Sequence, residues 1–578
     1  MPTTYDKHPF IDTGFTAEAC LGGWDQIAAE IKSKISSADF VICVECYPGV
    51  IEAELAKELT RRLRPALVVH ASQAYRSETE LHAIFDEELT DDPVFGRISH
   101  AGIVDFFDPA LRERLTERIS LAQGGVLVVG TGASLIAPHS SCLIYADMAR
   151  WEIQLRQRTN RIGNLGLHNL TARAAEKYKR AFFLDWRAAD RLKLEQLSSC
   201  NYILDANIAG EPKMIACDVF RASLQRAVHR PIRLVPFFDP GPWGGQWMRE
   251  HFDLPKEPAN FAWCFDCVPE ENSLLLGFGD HRFETPAQNL VLFEPTALMG
   301  QAVFARFGHD FPIRFDLLDT MQGGNLSLQV HPLTDYIHSN FGMSYTQDES
   351  YYLLDAGPDA SVYLGTKTGV DPDTMEADLR RAQQGDFDFP VEKYANRIPA
   401  KKHDHFLIPA GTLHCSGAES MVLEISATPY IFTFKLWDWG RLGLDGRPRP
   451  IHLDHGLKNI QWERDTAWTH AQLVNQVTPS VGGVGWREER TGLHAKEFIE
   501  TRRHWFQATV EHDTQGTVHV LNLVEGSGVL VTSPADSFAP FAVHYAETFI
   551  VPAEVGAYTI TPLTPGEPCA TIRANVRE

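Results

Sequence analysis

Between residues 36 and 232, short apolar runs alternate with stretches of helical spacing. Residues 40–44, 66–70 and 126–129 are continuous apolar runs of strand length, whereas 53–63 and 172–183 repeat apolar positions every three to four residues. That alternation predicts a parallel sheet flanked by helices. A junction rich in Pro, Gly and Trp follows at 236–255, and the pattern then changes. Residues 518–523 and 528–532 alternate with the period of two expected of half-buried strands, while 371–400 are charged, at helical spacing, and predict a helical insertion. The expected fold class is α/β plus all-β, divided at 1–232, 233–460 and 461–578. A chain of 578 residues is too long for one core, and three domains suit its length.

Composition narrows the function. With 44% hydrophobic residues the chain is an ordinary globular one, and its net charge of −22 argues against nucleic acid, which needs a basic footprint. Any anionic substrate must find a locally positive pocket. The ten cysteines do not form a disulfide framework pattern. Cys43/Cys46 and Cys264/Cys267 have C-x-x-C spacing, but residues three apart on a strand face opposite ways, so buried thiols are expected. The first residues lack a basic and apolar leader, and no run reaches the roughly 20 apolar residues of a membrane span, so a cytoplasmic protein with no membrane partner is expected.

The chemistry concentrates in three segments: Gln329-Val-His331-Pro, Glu349 in Glu-Ser-Tyr-Tyr-Leu-Leu-Asp, and Pro409-Ala-Gly-Thr-Leu-His414. On a strand, Gln329 and His331 share a face. Glu349 follows His331 by 18 residues and His414 follows Glu349 by 65, after a turn that Gly411 lets close tightly. Two imidazoles, a carboxylate and an amide oxygen suit zinc or another divalent first-row metal, one ion per chain.

This set resembles the metal site of a cupin barrel, with Gln329 in place of the usual first His. The same segments, with Pro242-Trp-Gly-Gly245, Phe311-Pro-Ile-Arg-Phe-Asp-Leu-Leu-Asp319, Phe434-Lys-Leu-Trp-Asp-Trp-Gly-Arg441 and Arg449-Pro-Ile-His452, resemble the type I phosphomannose isomerase family over residues 233–578. The resemblance implies two cupin (β-barrel, jelly-roll) domains, the second without metal, and an aldose–ketose isomerase acting on mannose 6-phosphate and fructose 6-phosphate. Two positions depart from the family pattern. Gln347 stands where bacterial members carry Lys, and Lys435 where the family has Arg. Lys lacks the bidentate geometry of Arg, so the substrate stays open among mannose 6-phosphate, another phosphosugar and an unphosphorylated sugar. A non-catalytic, sugar-binding regulatory protein is the alternative of another class. Lys435 and Arg441 are the candidates for the substrate side. His403 and His405 suit a loop better than a chelating pair, and Lys401 and Lys402 form a candidate phosphate patch.

At the end of the first apolar run, Glu45-Cys-Tyr-Pro-Gly-Val-Ile-Glu-Ala53 resembles the phosphate loop of uridine-kinase-like P-loop proteins. Glu52 replaces its Lys and Ala53 its magnesium-binding hydroxyl. A carboxylate there repels phosphate, so the expected domain no longer transfers phosphate and serves as scaffold, ligand sensor or homo-oligomer surface. The helix carrying Arg150, Arg156 and Arg158 resembles the lid helix of such kinases, with a solvated basic face as the other reading.

Overall fold

A computed structural model describes residues 4–35, 37–385, 387–429, 431–492, 494–495 and 497–577. The chain forms two compact units that are not contiguous in sequence: Phe10–Ala227 joins Glu270–Phe293, while Val228–Pro269, Glu294 onwards and residues 4–9 form the other.

The first unit is built on a seven-stranded sheet. Its central strand Val41–Cys46 lies between Val126–Gly130, with Leu67–His70 beyond it, and Cys142–Asp147, with Tyr202–Asp205 beyond that. These five strands run parallel, and Lys213–Ala216 and Leu21–Gly22 extend one edge antiparallel. Their continuous apolar runs are what burial on both faces demands. Helices Glu52–Leu63, Glu78–Leu89 and Trp186–Gln196 supply the connections; Ser77 starts the second with a capping box. The expected helix at 172–183 is observed as Ala174–Arg180 continued by a π-helical stretch, Ala181–Asp185. Cys200 and Cys217 are joined by a disulfide, with Cα atoms 6.2 Å apart, a link that their spacing did not signal. Cys43, Cys46, Cys264 and Cys267 are buried free thiols, as the strand geometry required.

The second unit contains two all-antiparallel, two-sheet barrels. In the first, a six-stranded sheet, ordered His405–Ile408, Glu349–Ala356, Ser420–Ala427, Ile313–Asp319, Trp263–Cys267 and Phe237–Asp239, faces a five-stranded one. The latter runs Ala395–Pro399, Ser361–Thr366, His414–Ser416, Leu328–Val330, Phe434–Trp437, and helix Pro372–Gln383 is the expected insertion. The Trp-Gly-Gly motif is structural. A Cβ on Gly245 would lie 2.1 Å from Asp319 Oδ1, and Trp243 is buried edge-on against Trp263. The second barrel pairs a six-stranded sheet with a four-stranded one, closed on Phe506, Leu521, Leu523 and Ile560. No helix among the described residues is long and apolar enough to cross a membrane.

Candidate metal centre

Two sheets of the first barrel bring the three segments together. Glu349 opens the Glu349–Ala356 strand; Gln329 and His331 belong to or follow Leu328–Val330, and His414 opens the strand paired with it, directly opposite Gln329. The turn that delivers His414 is tied back to the site: Gly411 N–H donates to His331 O at 2.9 Å, and Gly411 has φ +83°, the left-handed region that glycine enters freely. Asp348 holds the same turn through Ala410 N–H at 2.8 Å.

His331, Glu349 and His414 are buried, and one ligand atom from each lies within 4.8 Å of the others; among the described residues this is the one such set of His, Cys, Asp and Glu. His414 Nε2 stands 2.7 Å from Glu349 Oε1, and His331 Nε2 stands 3.2 Å from Glu349 Oε2. Each imidazole turns its other nitrogen to a backbone carbonyl, His414 Nδ1 to Thr412 O at 2.8 Å and His331 Nδ1 to Phe432 O at 3.4 Å. Those carbonyls hold the proton on Nδ1 and leave both Nε2 lone pairs aimed inward, the tautomer a metal ligand needs. His331 Nε2 and Glu349 Oε1 have no hydrogen-bond partner although buried. Burial opposes ionisation of Glu349, but His331 and His414, when protonated, outweigh it and hold its carboxyl well below the usual range. The donor set therefore fits zinc, with room for a further ligand. Gln329 stands beside it, its amide nitrogen 3.2 Å from His414 Nε2; a half-turn of the amide presents oxygen there instead.

Gln347 donates from one amide nitrogen to Glu349 Oε2 at 3.2 Å and to Glu424 Oε1 at 3.3 Å. Glu424 is raised well above its ordinary value by burial and by Glu349, with Arg314 opposing. A neutral amide thus separates two buried carboxyls, a placement that the sequence marked only as a departure.

Lys435 lies directly opposite Gln329 on the neighbouring strand, so its side chain rises on the same face. Burial, helped by Arg449, lowers its pKa to about 7. Arg441 and Arg449 both grip Asp438, at 2.6 and 2.9 Å, and Asp438 also accepts from Ser327 Oγ. Two guanidinium groups against one carboxylate, beside Lys435, leave this strand end positive within an acidic chain. Sequence reasoning reached Lys435 and Arg441 but not Arg449 or Asp438, which sit in the same quoted motifs. His405 is buried on the face of its strand opposite to Ile408 and Glu349, against Tyr352, and has a pKa lowered to about 3 by burial; His403 bonds Tyr352 and Glu525. Neither histidine belongs to the metal set, and Lys402 is paired with Glu525.

In the first unit, the segment that resembles a phosphate loop sits against Gly130-Thr-Gly132. Thr131 N–H donates to Glu52, and Gly132 and Ser134 N–H groups donate to Glu45, at 2.6–3.0 Å. The carboxylates of this segment thus accept from the amides of the neighbouring loop. Arg150 is buried against Asp190, and Arg156 is buried, donating to Gly49 O, Ala206 O and Asn207 O. The solvated-face reading of this helix is therefore wrong for both.

Burial raises Glu45 to about 7, against the pull of the Ser134 and Gly132 N–H groups. A carboxyl raised in the fold gives stability that is full below its unfolded value and lost as pH rises through about 7. Glu45→Gln is uncharged throughout. The wild-type advantage over it is therefore expected to shrink by about 3 kcal/mol between pH 4.5 and 8. Hydrogen exchange of residues 126–136 in urea, compared between the two proteins, reads this directly; a pH-independent difference would show Glu45 titrating alike in the folded and unfolded chain.

Comparison with known proteins gives a family model, curated relatives and solved structures. The family described as "Domain of unknown function (DUF8485)" matches residues 23–229. The chain is 26% identical over 347 residues to YvyI of Bacillus subtilis (strain 168), provisionally named a mannose-6-phosphate isomerase, covering 57% of this chain and 95% of that one. It is 27% identical over 259 residues to the mannose-6-phosphate isomerase ManA of the same organism, covering 43% and 75%. Among solved structures, the mannose 6-phosphate isomerase from Bacillus subtilis aligns with 60% of this chain and 99% of its own, at 21% identity and a TM-score of 0.48.

Proposed function

We propose that the chain is a zinc-dependent aldose–ketose isomerase that interconverts mannose 6-phosphate and fructose 6-phosphate, with the ion held by His331, Glu349, His414 and Gln329. One observation carries this reading: a buried His/Glu/His set with inward lone pairs, His331 Nε2 and Glu349 Oε1 unsatisfied, adjoins a strand end carrying Lys435, Arg441 and Arg449. The names of the similar proteins YvyI and ManA point the same way.

A bound zinc ion supplies Lewis acidity that orients sugar hydroxyls and stabilises a developing oxyanion. The protein's own groups do the rest. The Thr412 and Phe432 carbonyls fix the imidazole tautomers, and Gln347 steadies Glu349 without adding charge. Lys435, Arg441 and Arg449 receive the phosphate, with Asp438 orienting both guanidinium groups. A dianionic phosphate beside Lys435 restores its ammonium form, because an opposite charge favours the charged state.

The test is a coupled assay of mannose 6-phosphate conversion to fructose 6-phosphate by the full chain loaded with one equivalent of zinc. Turnover is expected. Protein that holds the ion yet leaves both sugar phosphates unchanged would overturn the substrate assignment.

A further inference from the structure

The interior of the second barrel has two unlike ends. One is filled by Phe506, Leu521, Leu523, Val510, Ile560 and Cys569. The other is polar, and it is made by the same strands: His504 shares the inward face of Phe506, His512 that of Val510, His519 that of Leu521, Tyr558 that of Ile560, and Thr571 and Arg573 that of Cys569. His504, His512, His519 and Thr571 are all more than nine-tenths buried.

Their mutual contacts leave a gap. His504 Nε2 meets Glu488 Oε2 at 2.5 Å, His519 Nδ1 meets Tyr558 Oη at 2.8 Å, and the His512 ring stacks on Tyr558 with centroids 5.0 Å apart. His504 Nδ1, His512 Nε2, Thr571 Oγ1 and Arg573 Nε are then left buried without a partner, though three of them can donate as they stand. These four atoms sit on strands that line one end of the barrel, and they call for a ligand, because buried polar groups are almost always paired. The mouths of β-barrels are common places for one.

We propose that this end of the second barrel binds a small oxyanion, a phosphate or phosphomonoester, through Arg573, Thr571, His504 and His512. The charge balance selects an anion. Arg490, Arg502 and Arg573 face Glu488 and Glu500, three cations to two carboxylates, in a chain of net charge −22. Glu488 and Glu500 are committed to Arg502, whereas Glu488 Oε2 stands 4.0 Å from Arg573, beyond hydrogen-bond reach. A metal is the wrong ligand: these ring nitrogens do not converge as those of the first barrel do. Burial, with Arg573 adding repulsion, holds His512 and His519 well below their ordinary values, so the imidazoles do not already crowd the site with charge. His504, whose Nε2 proton faces Glu488, can present a second proton on Nδ1 once an oxyanion arrives.

The site is independent of the isomerase reading, and the test keeps them apart. Inorganic phosphate is titrated calorimetrically into the full chain carrying Lys435→Met, which weakens the phosphate contact proposed for the first barrel. Saturable binding is expected to persist there and to weaken at least about tenfold when Arg573→Gln is added. Thr571→Val, close in shape, is expected to weaken binding about threefold with an unchanged near-ultraviolet spectrum, and it decides the matter if the arginine variant fails to fold. Absence of saturable binding in the Lys435→Met protein, or binding indifferent to both second-barrel substitutions, overturns the proposal.

Discussion

His414→Ala is expected to lose bound zinc and isomerase activity together. The imidazole it removes faces Glu349 Oε1 at 2.7 Å, and its tautomer is held by Thr412 O. Alanine removes one of the two imidazoles and leaves only His331, Glu349 and the weaker amide ligand Gln329, and it leaves the Glu349 carboxylate buried facing one imidazole instead of two. Lewis-acid stabilisation is worth several kcal/mol, so turnover should fall by on the order of a thousandfold. Metal analysis of the purified variant should show far less than one zinc per chain, with far-ultraviolet dichroism unchanged, since the strand pairing around residue 414 is made by backbone atoms. Full activity in the variant would remove this site from the reaction. Retained metal with lost activity would instead give His414 a role other than ligation.

The parts of this site that were legible beforehand are those whose chemistry is local. The i, i+2 geometry of a strand predicts that Gln329 and His331 face the same way, and a turn closed by Gly411 predicts an abrupt strand start at His414. Glu349 lies in a strand-forming run, and the fold pairs it with His405–Ile408, the strand that leads into that turn. What escaped was assembled across distance. Asp438 organises two arginines only because the loop after it folds back, and nothing in the spacing of Arg441 and Arg449 signals that they share one carboxylate. The histidines of the second barrel come singly from separate strands, so no short motif announces them, and each by itself reads as a core histidine. The segment Glu270–Phe293 follows the junction in sequence yet builds onto the first unit, where Asn289 and Lys193 both bond Asp147. Such an exchange obeys no periodicity. In the first unit, Glu52 read only as an obstacle to phosphate, and the fold gives it and Glu45 a positive role as acceptors for the amides of the neighbouring loop at residues 131–134.

Lys435→Met is expected to separate a phosphorylated from an unphosphorylated substrate. If Lys435 meets the phosphate, its loss removes a charge-assisted hydrogen bond from the sugar phosphate and nothing from the free sugar. The KM for mannose 6-phosphate should then rise tenfold to about a hundredfold, the range set by a hydrogen bond to a charged group, while kcat changes little. Any activity on mannose should be unaffected. Lys435→Arg restores a permanent cation with a planar fork, and because Arg441 and Arg449 already crowd Lys435, the added guanidinium depends on the phosphate to offset their repulsion. Its benefit should therefore appear in KM for the phosphorylated sugar and disappear with mannose. An equal loss on both sugars in Lys435→Met would instead place the ammonium beside the reacting carbons, where it would act on the oxyanion that both substrates develop.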